Sequence, residues 1–167
     1  GEDKINNLGS NAFVGWYNCH PEFRDLDPDL NIKSAVVIGV GNVAIDVARV
    51  LAKTPAEMAA TDIAGYALTG IDDSPLEEIT MFGRRGPIEA AFTNTELKEL
   101  GELADCVTDV DALQLPREVP ETLDDRERKV RGRILETLWG LSEPAAATAR
   151  RRLHIRFYAM PVEVLGG

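Results

Sequence analysis

The 167-residue sequence predicts an α/β domain built on a mainly parallel sheet, and three observations predict it. The β-branched apolar run Ala35-Val36-Val37-Ile38 leads straight into a glycine-rich bend. After Asn42, apolar residues recur at Val43, Val47, Val50 and Leu51, which is one face of a helix. Further apolar runs at Glu77 to Phe82 and Cys106 to Val110 each follow a helical stretch, the alternation that builds βαβ units with right-handed crossovers.

Taken in order, the first run is apolar at every position, as expected of a strand buried on both faces of a parallel sheet. Thr54-Pro55-Ala56-Glu57 is a capping box with proline at the first helical position, so a short helix starts there. Another turn or two begins at Thr61-Asp62 and runs through Leu68, and Gly70 to Pro75 has the chemistry of a turn. Glu77 to Phe82 is the second strand, Thr93 to Leu103 a helix, and Cys106 to Val110 the third strand. Residues 121–141 are helical, and "SEPAAATARRR" after them reads as an exposed link of low complexity. Finally Leu153, Ile155 and Phe157 alternate with His154, Arg156 and Tyr158, a strand whose first set faces the core and whose second faces solvent. No cap closes the pattern at either end, so the chain reads as an excerpt of something longer.

Composition narrows the classes. At 44% hydrophobic and 28% charged, the chain suits one globular domain with a real core. No apolar run approaches the ~20 residues a membrane span needs, and the first residues lack the layout of a signal peptide, so a soluble, cytoplasmic protein is expected. Cys19 and Cys106 match no metal-ligand spacing. A net charge of -10 argues against nucleic acid as a partner.

The chemistry lies in two turns. Gly39-Val40-Gly41-Asn42-Val43-Ala44 is a G-x-G-x-x-A: the first glycine permits the sharp turn, the second lets backbone approach a pyrophosphate, and Ala44 lets helix and strand close up. The helix start then offers free N–H groups to an anion. This makes the fold Rossmann-like, with three layers. Directly after the second strand comes Gly83-Arg84-Arg85-Gly86-Pro87. An NAD-binding unit places a carboxylate at this strand end for the ribose 2′-hydroxyl, whereas two guanidinium groups suit the 2′-phosphate of NADP. At roughly 1.5 to 3 kcal/mol per charge-assisted hydrogen bond, two arginines favour NADP over NAD by on the order of 10² to 10⁴. The competing account is a surface arginine pair in a turn.

Four segments, "FVGWYNCHPEF", "GVGNVAIDVARVL", "TDIAGYAL" and "GRRGPIEAAFTNTELKEL", stand in an order and spacing that resembles the adrenodoxin reductase family of ferredoxin–NADP reductases. The resemblance is strong from Phe13 to Leu100 and looser beyond. It implies a two-domain flavoprotein in which an NADP-binding domain is inserted into an FAD-binding one. The chain then corresponds to the NADP-binding insert alone, with residues 1–20 the interdomain connection and start of the domain and 21–167 the domain itself. It has one glycine fingerprint and lacks the amino-terminal one the family uses for FAD, so FAD is expected in the full-length protein and not in this part.

Carried over position by position, the resemblance puts Gly39, Val40, Gly41, Asn42 and Val43 at the pyrophosphate, Arg84 and Arg85 at the 2′-phosphate, and Glu96 near the adenosine ribose. Thr93-Asn94-Thr95-Glu96 is equally a capping box, and both roles can coexist. Asp46 matches an acidic position on the flavin side, and it can also simply pair with Arg49. Trp16 and Tyr17 line the cleft or pack in the core. Hydride passes between nicotinamide and flavin, so no catalytic side chain is named. Lys98, Arg126, Arg128, Lys129, Arg131 and Arg133 form a candidate docking patch for ferredoxin or a similar acidic iron–sulfur protein, and Glu127 can support Arg131 on the same helix face. The alternatives are a self-contained NADP-dependent dehydrogenase or a nucleotide-binding module without chemistry. A short-chain dehydrogenase is disfavoured because no tyrosine is followed four residues later by lysine.

Overall fold

The computed structural model describes residues 3–143 and 148–165. Its sheet has four strands, β1 (Ser34–Ile38), β2 (Glu78–Phe82), β3 (Cys106–Val110) and β4 (Arg151–Arg156), hydrogen-bonded in the order β1-β2-β4-β3. Every pairing is parallel, with Ser34 opposite Glu78 and Glu78 opposite Arg152. Around it lie α1 (Ser10–Tyr17), α2 (Asn42–Ala52), α3 (Pro55–Met58), α4 (Gly65–Asp73), α5 (Asn94–Gly101) and α6 (Asp125–Leu141). The α/β class and the parallel sheet are as the sequence predicts.

Alternation along the strands decides where the core sits. Ile79 and Met81 of β2 and Leu153 and Ile155 of β4 are fully buried beneath Ile45, Ala48 and Leu51 of α2, Leu97 and Leu100 of α5 and Leu138 of α6. The other face carries Val36 and Ile38, 60% and 58% exposed, together with the polar set Glu78, His154, Arg156 and Asp109. Two of the three expected layers, sheet and helices, are therefore formed by the described residues. The expectation that β1 is buried on both faces is corrected: it is an edge strand whose second face nothing described here covers.

Other boundaries shift for identifiable reasons. Gly70 to Pro75 is not simply a turn, because α4 runs on to Asp73. Ala67 and Ile71, four apart, bury the same face, and Arg150 and Arg151 reach in to accept the helix's last carbonyls as partners: Arg151 donates to Ile71 O (2.8 Å) and Arg150 to Asp72 O (2.7 Å). That cap arrives from nearly 80 residues away, beyond any local signal. α1 adds a helix where the sequence carries no strong local signal. Its Phe13, Trp16 and Tyr17 are buried against α2 and α4, so Trp16 and Tyr17 are core residues, and burial pushes the Tyr17 hydroxyl up to about 12. β4 begins and ends earlier than the alternation suggests, and Tyr158 falls outside it. Both capping boxes, at Thr54 and Thr93, are formed. The expected link falls partly on residues 144–147, outside the described residues.

Candidate functional site

The carboxyl ends of β1 and β2 stand side by side, and each releases a glycine bend. Gly39 has φ +132°, a conformation closed to most L-residues, and its N–H donates to Phe82 O (2.9 Å), fastening the two strand ends together. Gly41 is extended and is the N-cap of α2, yet it has no side chain to cap with. The first bond of the helix runs from Ile45 N–H to Gly41 O (3.0 Å), so the N–H groups of the preceding turn point off the helix end without intrahelical acceptors. Together with the helix dipole they form a positive, donor-rich corner suited to a diphosphate.

The second bend is packed against the first. A Cβ on Gly83 would stand 2.9 Å from both methyl carbons of Val40, so only glycine lets the two turns approach this closely. Arg84 and Arg85, which follow, are exposed. Among the described residues neither guanidinium makes a hydrogen bond or an ion pair. Their donors are free for an anionic ligand.

A third segment, residues 90–93, holds the first bend and is itself held by α6. Ala91 N–H donates to Val40 O (2.9 Å), Thr93 N–H to Asn42 Oδ1 (3.0 Å), and the Arg131 guanidinium of α6 to Ala90 O (2.6 Å). Asn42 thus uses its side-chain oxygen inside the fold and presents its backbone N–H at the helix end. Glu96 Oε2 accepts from Thr93 Oγ1 (2.7 Å) and more weakly from Thr93 N–H (3.3 Å), so its carboxylate is engaged in the capping box. Along the free edge of β1 runs a groove of about 1160 Å³ that ends on Gly39, Gly41, Asn42 and Val43, roomy enough for an extended ligand. Arg84 and Arg85 are not among its lining residues.

No protein-family model matches the chain. It is 39% identical over 170 residues to the NADPH-ferredoxin reductase FprA of Mycobacterium tuberculosis, which covers 99% of this chain and 36% of that protein. It is 38% identical over 172 residues to the human mitochondrial NADPH:adrenodoxin oxidoreductase, covering 99% of this chain and 35% of the other. The solved structure of Mycobacterium tuberculosis FprA in complex with NADPH superposes with a TM-score of 0.87 at 38% identity, over 100% of this chain and 36% of that one. The chain is homologous to these reductases. It spans about a third of their length.

Beside this homology, the remaining residues sort by what they touch. Asp46 accepts from Arg49 (3.1 Å) as expected, and Arg49 also pairs with Glu99 of α5, so Asp46 has an internal partner. His20 is exposed, and its ring Nδ1 accepts from Glu22 N–H (3.3 Å). Two members of the basic cluster also bond within the fold: Arg131 turns inward to Ala90 O (2.6 Å), in place of the expected pair with Glu127, and Arg128, which stays exposed, donates to Glu121 O (2.8 Å) and Leu123 O (3.2 Å). Arg126, Lys129 and Arg133 stay exposed at helical spacing, and Arg133 faces Lys98 across a groove between α5 and α6. His154 lies between Asp109 and Glu78 at the centre of the uncovered sheet face. Among the described residues no group of three or more His, Cys, Asp or Glu could hold a metal ion, and no helix is long and apolar enough to cross a membrane.

Proposed function

We propose that this chain is the NADP(H)-binding domain of a flavin-dependent ferredoxin–NADP reductase, with residues 1–20 connecting to the remainder and 21–167 forming the domain. Its role is to hold NADPH so that the nicotinamide meets the flavin and electrons pass on to ferredoxin. The observation that carries the reading is the pair Arg84 and Arg85, exposed and without internal partners, on a bend packed against an uncapped helix N-terminus. Gly39, Val40, Gly41, Asn42 and Val43 would receive the pyrophosphate on backbone N–H groups, the arginines the 2′-phosphate, and Glu96 the ribose from its place in the capping box. This reading gives the strand, glycine bend and helix from Ser34 to Ala52 to NADP, and the flavin to the rest of the full-length protein. Cytoplasmic residence is part of the same proposal.

Calorimetric titration of the full-length protein with NADP⁺ and NAD⁺ tests it. NADP⁺ should bind more tightly, and Arg84→Ala or Arg85→Ala should each weaken it by roughly 10- to 100-fold while leaving NAD⁺ unchanged. Equal affinity of the unaltered protein for the two nucleotides would overturn the assignment.

The proposed docking face for an acidic iron–sulfur protein is Lys98, Arg126, Arg128, Lys129, Arg131 and Arg133, of which Lys98, Arg126, Lys129 and Arg133 are the exposed members that spend no side-chain hydrogen bond within the described residues. Charge reversal at Lys129 and Arg133 should slow ferredoxin reduction at low ionic strength and matter little at high salt, where exposed charges are screened. A rate unchanged at low salt would remove the patch.

A further inference from the structure

We infer that Tyr158 is the platform on which the adenine base of NADP(H) stacks, an inference that rests on the nucleotide reading above. The strand alternation places Tyr158 on the uncovered sheet face with His154 and Arg156. The backbone does otherwise. β4 ends at Arg156, Phe157 is buried, and Tyr158 takes a left-handed conformation with φ +57°, which a bulky side chain seldom adopts without some return elsewhere. Packing against Gly86 is only a small part of that return, because the residue remains 64% exposed. Hydrogen bonding adds nothing to it, since among the described residues the hydroxyl has no partner.

What the left-handed turn does achieve is placement. Tyr158 N–H donates to Arg85 O (3.3 Å) and Ala159 N–H to Gly83 O (3.1 Å), so the residue is tied to the very turn that presents Arg84 and Arg85. The hydroxyl end of its ring then rests against Gly86, where a Cβ would stand 2.7 Å from Cζ and 2.9 Å from Cε1. In NADP the base hangs from the ribose carbon adjacent to the one that bears the phosphate. A phosphate held by Arg84 and Arg85 therefore brings the adenine to the neighbourhood of that turn, and an exposed aromatic face is the surface a purine stacks on. The other strongly exposed aromatic, Tyr66, donates its hydroxyl to Trp16 O (2.7 Å) and belongs to the contact between α1 and α4.

The test uses adenosine 2′,5′-bisphosphate with the full-length protein, reading affinity by calorimetry and the adenine H2 and H8 resonances by NMR. The unaltered protein and Tyr158→Phe should bind alike and shift both resonances upfield through the ring current. Tyr158→Leu, which keeps bulk but has no π face, should bind roughly 5- to 100-fold more weakly and lose the shifts. Equal binding by Tyr158→Leu with the shifts intact would overturn the platform alone. Weaker binding in which the shifts persist would also overturn it, because Tyr158 would then only shape the turn. If the unaltered protein fails to bind the bisphosphate, the nucleotide reading itself falls.

Discussion

The chain contains two runs of consecutive arginines at opposite ends of the same sheet, Arg84-Arg85 and Arg150-Arg151-Arg152, and the fold uses Arg84-Arg85 and the first two of the second run in opposite ways. Arg84-Arg85 follows the carboxyl end of β2, exposed and without internal hydrogen bonds among the described residues. Arg150-Arg151 sits at the amino end of β4, where Arg151 is 3% exposed and donates to Leu76 O, Lys53 O and Ile71 O. Arg150 adds bonds to Asp72 O and Ser74 O. Burial depresses the Arg151 pKa, yet the surrounding carbonyls leave its charge well satisfied. One pair closes the frayed ends of α2 and α4 onto the sheet, and the other leaves its donors for something outside the chain.

The largest effect should therefore come at the buried pair. Arg151→Met keeps the stem and removes every donor, leaving buried carbonyls unpartnered at roughly 1–3 kcal/mol each, so a loss of about 3 kcal/mol or more is expected in urea denaturation. Arg84→Ala and Arg85→Ala, measured the same way, should stay within about 0.5 kcal/mol of the parent, as surface changes away from special features do. If the two pairs proved equally important for stability, the contrast would be broken and Arg84 and Arg85 would be structural.

This contrast also marks what could be seen in the sequence. The strand, bend and helix from Ala35 to Leu51 are legible because each carries its own local signal: β-branching, glycine spacing, helical periodicity. Both capping boxes are legible for the same reason, at Thr54 and Thr93. Arg84 and Arg85 can be placed at a strand end, but their freedom from internal partners cannot, since the run Arg150-Arg151-Arg152 gives no local sign that two of its members are bonded internally. The extension of α4 to Asp73 and the inward turn of Arg131 depend on partners about 80 and 41 residues distant, and no window of sequence contains both halves of those contacts. The exposure of β1 is hidden for a related reason, because an apolar run does not say which of its faces a neighbour covers.

The glycines sharpen the comparison at the next scale of effect. Gly39 is demanded by the backbone, and Gly39→Ala should cost about 1–3 kcal/mol of stability for holding an L-residue at φ +132°. Gly41 is extended, and a Cβ there would find its nearest heavy atom, Ala91 Cβ, 3.9 Å away, so Gly41→Ala should leave the denaturation midpoint nearly unmoved. Its effect should appear in nucleotide affinity instead, because the added methyl stands where backbone and pyrophosphate would meet. Chemical denaturation and NADP⁺ titration of the two variants separate a glycine that serves the fold from one that serves a ligand. A stability loss at Gly41→Ala matching that at Gly39→Ala would erase the distinction.

The smallest expected effect lies at the sealed end, where Cys106 of β3 stands in register with Arg151. Burial pushes its thiol from 9.0 up to about 12, a rise that the nearby Arg151 charge only partly opposes. In the unfolded chain the same thiol ionises near 9.0, so above that pH unfolding releases a proton that the folded state retains, and stability falls as pH rises toward 12. At no more than about 1.4 kcal/mol per pH unit, the loss between pH 9 and 10 should be about 1 kcal/mol, in a window that Tyr17, also raised to about 12 from 10.0, has barely entered. Cys106→Val, similar in volume and without a proton to release, should flatten the stability profile there. An identical slope in the two proteins would mean that water reaches the thiol in the folded state, and the amino end of the sheet would then be as open as the end that presents Arg84 and Arg85.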